Sequence, residues 1–234
     1  MKHTLLIKDW LSSFLSLLFP HCCVVCGRPL AKGEECICTV CNINLPRTNY
    51  HLRKDNPVER LFWGQIPLER ATSFFFYEKG SDFRLILHRL KYGGQKEIGA
   101  IMGRYMAAEL LSSNFFQGID VIIPIPLHKK KQQIRGYNQS EWIARGIAAV
   151  TGIPIDTESI LRKKNTETQT RKSVFERRDN VEGIFELQHP ETLAGKHILI
   201  VDDVLTTGST TLACASCLVN VEGIRISILT MATA

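Results

Sequence analysis

Two adjacent carboxylates, Asp202 and Asp203, follow the apolar run Ile198–Val201 and precede a segment of hydroxyls and glycine, Thr206-Thr207-Gly208-Ser209-Thr210. The apolar run is predicted to be a buried strand that delivers both carboxylates at its C-terminal end, where open α/β sheets bind ligands. The hydroxyl-rich segment is predicted to open a helix. Backbone N–H groups at a helix N-terminus, flanked by the hydroxyls of Thr206, Thr207, Ser209 and Thr210, form a phosphate cradle. Gly208 permits the tight turn that brings the backbone against a ligand. The carboxylates lie three to eight residues ahead of this cradle. There they accept hydrogen bonds from sugar hydroxyls while the phosphate sits in the loop, which suits a phosphorylated sugar. The chain has no G-x-x-x-x-G-K-[ST], and no G-x-G-x-x-G follows a strand. As a plain turn the Thr/Gly/Ser segment would need no ligand. Paired acids directly after four apolar residues do need a purpose.

A second kind of chemistry lies near the N-terminus, where six of the eight cysteines fall between Cys22 and Cys41. Such a cluster is either a disulfide framework of a secreted protein or a metal site of a cytosolic one. Cys23 and Cys26 form one C-x-x-C pair, and Cys38 and Cys41 form another after eleven intervening residues. Two such pairs complete a closed tetrahedral Zn²⁺ site, structural rather than catalytic because no position stays open. Cys22 and Cys36 are spare neighbours, read as non-ligands. The third pair, Cys214 and Cys217, falls inside the helix predicted after the phosphate cradle and reads as small thiols packing that helix on the sheet.

Charge is unevenly placed. The net charge is +6, and residues 127–181, with 12 Lys/Arg against 6 Asp/Glu, carry all of it. A local basic excess fits a polyanion such as phosphate groups or a nucleic-acid backbone, with a solvated surface as the plain alternative. Lys129, Lys130, Lys131 and Arg135 lie in the loop between a predicted strand end and the next helix. The stretch 163–181 is long, polar and free of proline, and is predicted to be a lid that closes over a charged ligand. Arg135 and Arg177 are the preferred ligand contacts, with Lys129 beside them; the other lysines are read as steering charges.

The elements that must position these groups alternate. An aromatic strand is expected over 71–77, a helix through Phe83, Ile86, Leu87 and Leu90 that stops at Gly93-Gly94, and a second helix over 98–110. Strands are expected over 121–125, 159–162, 198–201 and 224–231, with helices over 140–150 and 209–219. This order implies right-handed crossovers and a parallel sheet flanked by helices. Three zones result: residues 1–50 with the zinc module, 51–80 as a connector and possible hood, and 81–234 as the catalytic-type domain. Residues 5–19 read as an amphipathic helix; Lys8, Asp9 and Trp10 interrupt the apolar run, and no signal-peptide cleavage site follows. With 44% hydrophobic and 22% charged residues and no stretch long enough to span a bilayer, the chain reads as globular and cytoplasmic, without a transmembrane segment.

The segment 198–210 resembles the signature of type I phosphoribosyltransferases, which bind 5-phosphoribosyl-1-pyrophosphate (PRPP). That resemblance implies that Asp202 and Asp203 contact the ribose hydroxyls and steady positive charge developing at C1, that Thr206–Thr210 hold the 5-phosphate, and that Mg²⁺ accompanies PRPP. The run Pro124-Ile125-Pro126-Leu127-His128-Lys129 continues to Arg135-Gly136-Tyr137-Asn138-Gln139. Together with Thr168-Gln169-Thr170, Glu176–Val181, Phe185, His88–Gly94 and the N-terminal cysteines, it is similar to the ComF family of competence-associated phosphoribosyltransferase-like proteins. The likeness extends over roughly residues 15–234 and implies a role in DNA uptake or use of external DNA. Because only three residues follow the predicted last strand, the hood over the site is expected from the N-terminal zones. Two readings stand: an Mg²⁺-dependent PRPP-binding transferase, and a non-catalytic protein of the same fold that binds single-stranded DNA and other DNA-uptake proteins. A PRPP-responsive regulator is a weaker third.

Overall fold

The computed structural model describes residues 21–163 and 183–234. The amphipathic helix expected over 5–19, and the lid residues 164–181 with Arg177, lie outside the described residues.

Among the described residues, helices separate most of the six strands. The first described helix, α1 (Thr39–Ile43), starts at Cys38 and carries Cys41 of the second cysteine pair, and α2 (Pro57–Arg60) is held by a capping box in which Asn56 and Glu59 satisfy each other's backbone donors. Next come β1 (Leu68–Phe76), α3 (Arg84–Tyr92), α4 (Glu97–Leu110) and β2 (Val121–Pro124). The segment expected as a lysine-rich loop forms a short helix, α5 (Lys129–Arg135), because the His128 side chain accepts from the Lys130 N–H and caps it. Then follow α6 (Gln139–Thr151), β3 (Ile160–Arg162), β4 (Phe185–Leu187), β5 (His197–Leu205), α7 (Ser209–Ser216) and β6 (Arg225–Thr233).

Strands β1, β6, β5 and β2 form one sheet in that order, every pair parallel. Its edge strand β1 comes from the 51–80 segment, so that segment is more than a connector. Along the outer side of β1, Arg47 pairs antiparallel with Phe75, and the Phe76 N–H donates to the Pro46 carbonyl at 2.8 Å. The chain leaving the cysteine cluster thus covers an otherwise open sheet edge. β3 and β4 pair antiparallel as a separate ribbon on either side of residues 164–182.

Alternation along β5 and β6 sends successive side chains to opposite faces. Leu199, Val201, Leu229 and Met231 join the α3, α4 and α6 side, in one cluster with Cys23, Val24, Ile37 and Cys41 of the cysteine module. Ile198, Ile200, Ile226 and Ile228 pack with α7 and the ribbon, and Cys214 is buried there as the packing thiol expected of it. Helices α4 and α6 cross in backbone contact: a Cβ on Gly103 would collide with the Ile143 carbonyl, and one on Gly146 with the Ala100 carbonyl. This close crossing fixes α6, whose N-terminus enters the site described next.

Candidate functional site

β5 runs on to Leu205, four residues beyond the apolar run, so Asp202 and Asp203 lie within the strand rather than after it. Consecutive strand residues face opposite sides, and each carboxylate accordingly has its own partner. The Asp203 Oδ1 accepts an ion pair from the Lys91 Nζ at 3.0 Å. The Asp202 Oδ1 accepts from the Ser140 hydroxyl at 3.0 Å and from the Asp203 N–H at 2.8 Å. Burial and the neighbouring Asp203 charge push the Asp202 carboxyl up to about 7, against the opposing pull of those hydrogen bonds and of Lys91.

Lys91 and Ser140 are held in place by the Arg135–Gln139 run. The Tyr137 hydroxyl donates to the Leu90 carbonyl, which anchors the end of α3 where Lys91 stands. The Asn138 side chain caps α6 by accepting from the Ser140 N–H and donates to the Ile125 carbonyl at the end of β2. Arg135 donates from Nη1 to the Gln139 Oε1 at 2.9 Å, and its guanidinium lies 5.4 Å from the Tyr92 ring centroid. Lys91 and Arg162 stand by the acids, and Lys131 and Arg135 neighbour those two cations. Lys131 is lowered from the usual lysine value by burial and by the charges of Arg162, Arg135 and Lys91, and burial also lowers Arg162, which the nearby Asp202 opposes. Lys129 is exposed at the first position of α5.

Past the strand, Thr206 and Thr207 are exposed and Gly208 is buried in the left-handed conformation, φ 75°. The α7 N-terminus has no side-chain cap, in contrast to α6 and α2. Its first N–H groups stay available beside the Thr207 and Ser209 hydroxyls, which lie 2.9 Å apart, with Thr210 exposed one residue further on. A Cβ on Gly208 would sit 3.4 Å from the Phe62 ring, and Phe62 is completely buried, so the chain following α2 forms the back of this loop. The fold thus sets Asp202 and Asp203 against Ser140 and Lys91, with Thr206–Thr210 following directly along the chain and Arg135 bonded to Gln139, the neighbour of Ser140. Sequence reasoning gave no role to Lys91, Ser140, Arg162 or Phe62, and read Lys131 as a steering charge of the basic loop. Only Lys91 carried a signal, as a cation in the last turn of a helix that glycines stop.

Apart from this site, the Sγ atoms of Cys23, Cys26, Cys38 and Cys41 all lie within 4.8 Å of one another, and those of Cys26 and Cys38 are 3.7 Å apart. Four thiolates about 2.3 Å from a tetrahedral Zn²⁺ would be about 3.8 Å apart, so the residues fit the metal. The Cys38 N–H donates to the Cys23 Sγ at 3.3 Å, and Arg28 donates to the Cys26 Sγ at 3.4 Å, the kind of second-layer support that orients thiolate ligands. Cys36 is buried apart from this group and raised to about 12 by desolvation; Cys22 is exposed.

A phosphoribosyl transferase domain profile matches residues 139–233, from the start of α6 to the end of β6. With the parallel sheet, this defines a type I phosphoribosyltransferase-like fold with an N-terminal four-cysteine module. DNA utilization protein YhgH of Escherichia coli O157:H7 is 32% identical over 209 residues, which cover 83% of this chain and 88% of that protein. Competence protein F of Haemophilus influenzae is 31% identical over 130 residues, 54% of this chain and 57% of that one. Competence protein ComFC of Bacillus subtilis is 25% identical over 210 residues, 88% and 75% respectively. The chain belongs to the ComF family. Among solved structures, adenine phosphoribosyltransferase of Leishmania tarentolae is 12% identical, with a TM-score of 0.38 over 81% of this chain and 94% of that one. Among the described residues no helix is long and apolar enough to cross a membrane.

Proposed function

We propose that this protein binds PRPP or a closely related sugar phosphate at the C-terminal end of β5 and acts there as an Mg²⁺-dependent phosphoribosyltransferase. The observation that carries the reading is the arrangement of the acid pair, the uncapped α7 N-terminus and the cations around them. The 5-phosphate sits on the α7 N–H groups with Thr206, Thr207, Gly208, Ser209 and Thr210. Asp202 and Asp203 accept from the ribose hydroxyls, and their charge steadies the oxocarbenium-like state at C1. The pyrophosphate lies toward Arg135, Lys131 and Lys91, with Lys129 steering and Arg177 as a further contact. Mg²⁺ bound with the pyrophosphate would find hard oxygen ligands in the Asp202 and Asp203 carboxylates and would neutralise charge on the leaving group. A nucleophile bonds to C1 as the C1–O bond breaks, and that electron pair leaves with pyrophosphate. Positioning and electrostatics supply the rate, with no covalent intermediate.

Relatives named for competence and DNA utilization support a role in handling external DNA, and a four-thiolate zinc site fits the cytoplasm, where thiols stay reduced. The same cationic cluster favours one second reading, a non-catalytic protein that binds single-stranded DNA alongside other DNA-uptake proteins. The two ligand halves test the first reading separately. Zinc-loaded protein titrated with ribose 5-phosphate and with Mg²⁺-pyrophosphate binds both; Ser209→Asp weakens the first and Arg135→Ala the second. If neither half binds while an oligonucleotide binds with steep salt dependence, the second reading takes its place.

A further inference from the structure

A cavity of about 380 Å³ opens at the start of β1, between Leu68, Glu69 and Arg70 of the strand and Lys54, Asp55, Glu59 and Trp63 of the chain around α2. It lies away from the acid pair of β5. Leu68 is level with Ile226 and through it with Ile198 at the start of β5, whereas Asp202 and Asp203 stand near the other end of that strand. The wall that calls for a ligand is Glu59, which is only 7% exposed. Its Oε2 accepts from the Asn56 N–H at 3.3 Å and its Oε1 from the Ala71 N–H at 3.4 Å. Both bonds are long, and an ionised carboxylate has about four acceptor positions. No ion pair among the described residues engages Lys54, Asp55, Glu59 or Glu69. Arg70 is committed elsewhere: it donates to the His51 and Ser113 carbonyls, and its guanidinium lies 5.3 Å from the Phe115 ring centroid. A buried carboxylate without a counterion is costly, and here it borders a space that a cation can enter.

We infer that this cavity binds a primary alkylammonium, with its nitrogen at Glu59 and its hydrocarbon stem along Leu68 and Trp63. The inference does not depend on the sugar-phosphate reading. An ammonium brings three donors to the unused acceptor positions of Glu59, and Asp55 and Glu69 add negative potential at the rim. The indole of Trp63 attracts cations, as the Arg60 guanidinium 5.7 Å from its centroid shows. A metal ion suits the cavity less well. Among the described residues the four cysteines converge closely enough to hold one, and these three acids do not. A bare ion would also leave the apolar wall uncovered, which an alkyl stem fills. The ammonium has two sources, a free amine or the lysine side chain of a partner protein, and both present the same group to Glu59.

The test is calorimetric titration of the zinc-loaded full chain with pentylamine, with lysine blocked at both its α-amino and carboxyl groups, and with pentanol as the neutral control. Saturable binding of an amine and none of pentanol is expected. Tighter binding of pentylamine identifies a free amine, and tighter binding of the blocked lysine identifies a side chain. Glu59→Gln removes the charge and keeps the capping box, because glutamine also accepts the Asn56 N–H. It is expected to weaken amine binding at least about tenfold while melting no lower than the wild type. Should that variant melt far lower, Trp63→Ala at the exposed ring decides, with an expected loss of about threefold in amine binding. Undiminished binding by folded Glu59→Gln or by Trp63→Ala, equal binding of pentanol, or no saturation by either amine at about 10 mM overturns the inference.

Discussion

Asp202 answers two opposed demands: burial beside a second carboxylate disfavours its charge, and hydrogen bonds from Ser140 and the Asp203 N–H favour it. With the folded value at about 7 and an unfolded aspartate near about 3.9, the folded chain binds the extra proton between those values. The stability contributed by this group is therefore complete at low pH and is lost as pH rises through about 7. Asp202→Asn removes that dependence. The variant is predicted to melt above the wild type at pH 8 and near it at pH 4; parallel melting curves for the two proteins across this range contradict the assignment. Ser140→Ala removes a hydrogen bond to the charged form and is predicted to raise the carboxyl further, which carboxyl NMR titration reads directly. The acid pair and the hydroxyl- and glycine-rich turn into α7 were legible in the sequence because their types and spacing are local. Lys91 and Ser140 were not, since Asp203 and Asp202 meet them only across α3 and α6, from 112 and 62 residues away in the chain.

Elements reach the site through close approaches that tolerate no added atoms. Gly146→Ala places a methyl group against the Ala100 carbonyl, which must separate α4 from α6 and displace the helix that carries Ser140. A loss of roughly 3 kcal/mol in urea unfolding is predicted, as expected for a forced overpacking. Gly208→Ala meets the Phe62 ring at an ordinary contact distance but forces a non-glycine residue to φ 75°. It is predicted to cost about 1 kcal/mol and to weaken ribose 5-phosphate more than pyrophosphate. If Gly208→Ala proves the more destabilising of the two, the helix crossing is not the constraint described. Periodicity located α3, α6 and every strand of the main sheet. It missed α5, because a run of three lysines carries no apolar stripe and its helix depends on the His128 cap. It missed the extension of β5 through Leu205, because the two acids interrupt the apolar run after Val201 while the strand pairing with β6 continues. β4 escaped notice because three residues beside a long polar stretch give too little pattern.

At the scale of the whole molecule, the cysteine module is built into the main core. Cys23, Cys41, Val24 and Ile37 share one buried cluster with Met102, Leu110 and Phe75, and Arg47 of the following chain pairs with Glu109 of α4 at 2.5 Å. Chelating the metal, or Cys38→Ser, is therefore predicted to lower the melting temperature of the entire protein in a single transition; separate transitions for module and sheet contradict this coupling. That coupling was invisible in the sequence, where the cysteines and α4 are far apart and nothing indicated that the chain leaving the cysteine cluster would cover the β1 edge. The central claim is that the end of β5 holds a sugar phosphate carrying pyrophosphate, and calorimetric titration of Mg²⁺-PRPP into zinc-loaded protein tests it most directly. Saturable binding by the native chain, lost in the Asp202→Asn/Asp203→Asn double variant, is the predicted result. No heat of binding to a folded, zinc-loaded native chain, or equal binding by the folded double variant, contradicts it.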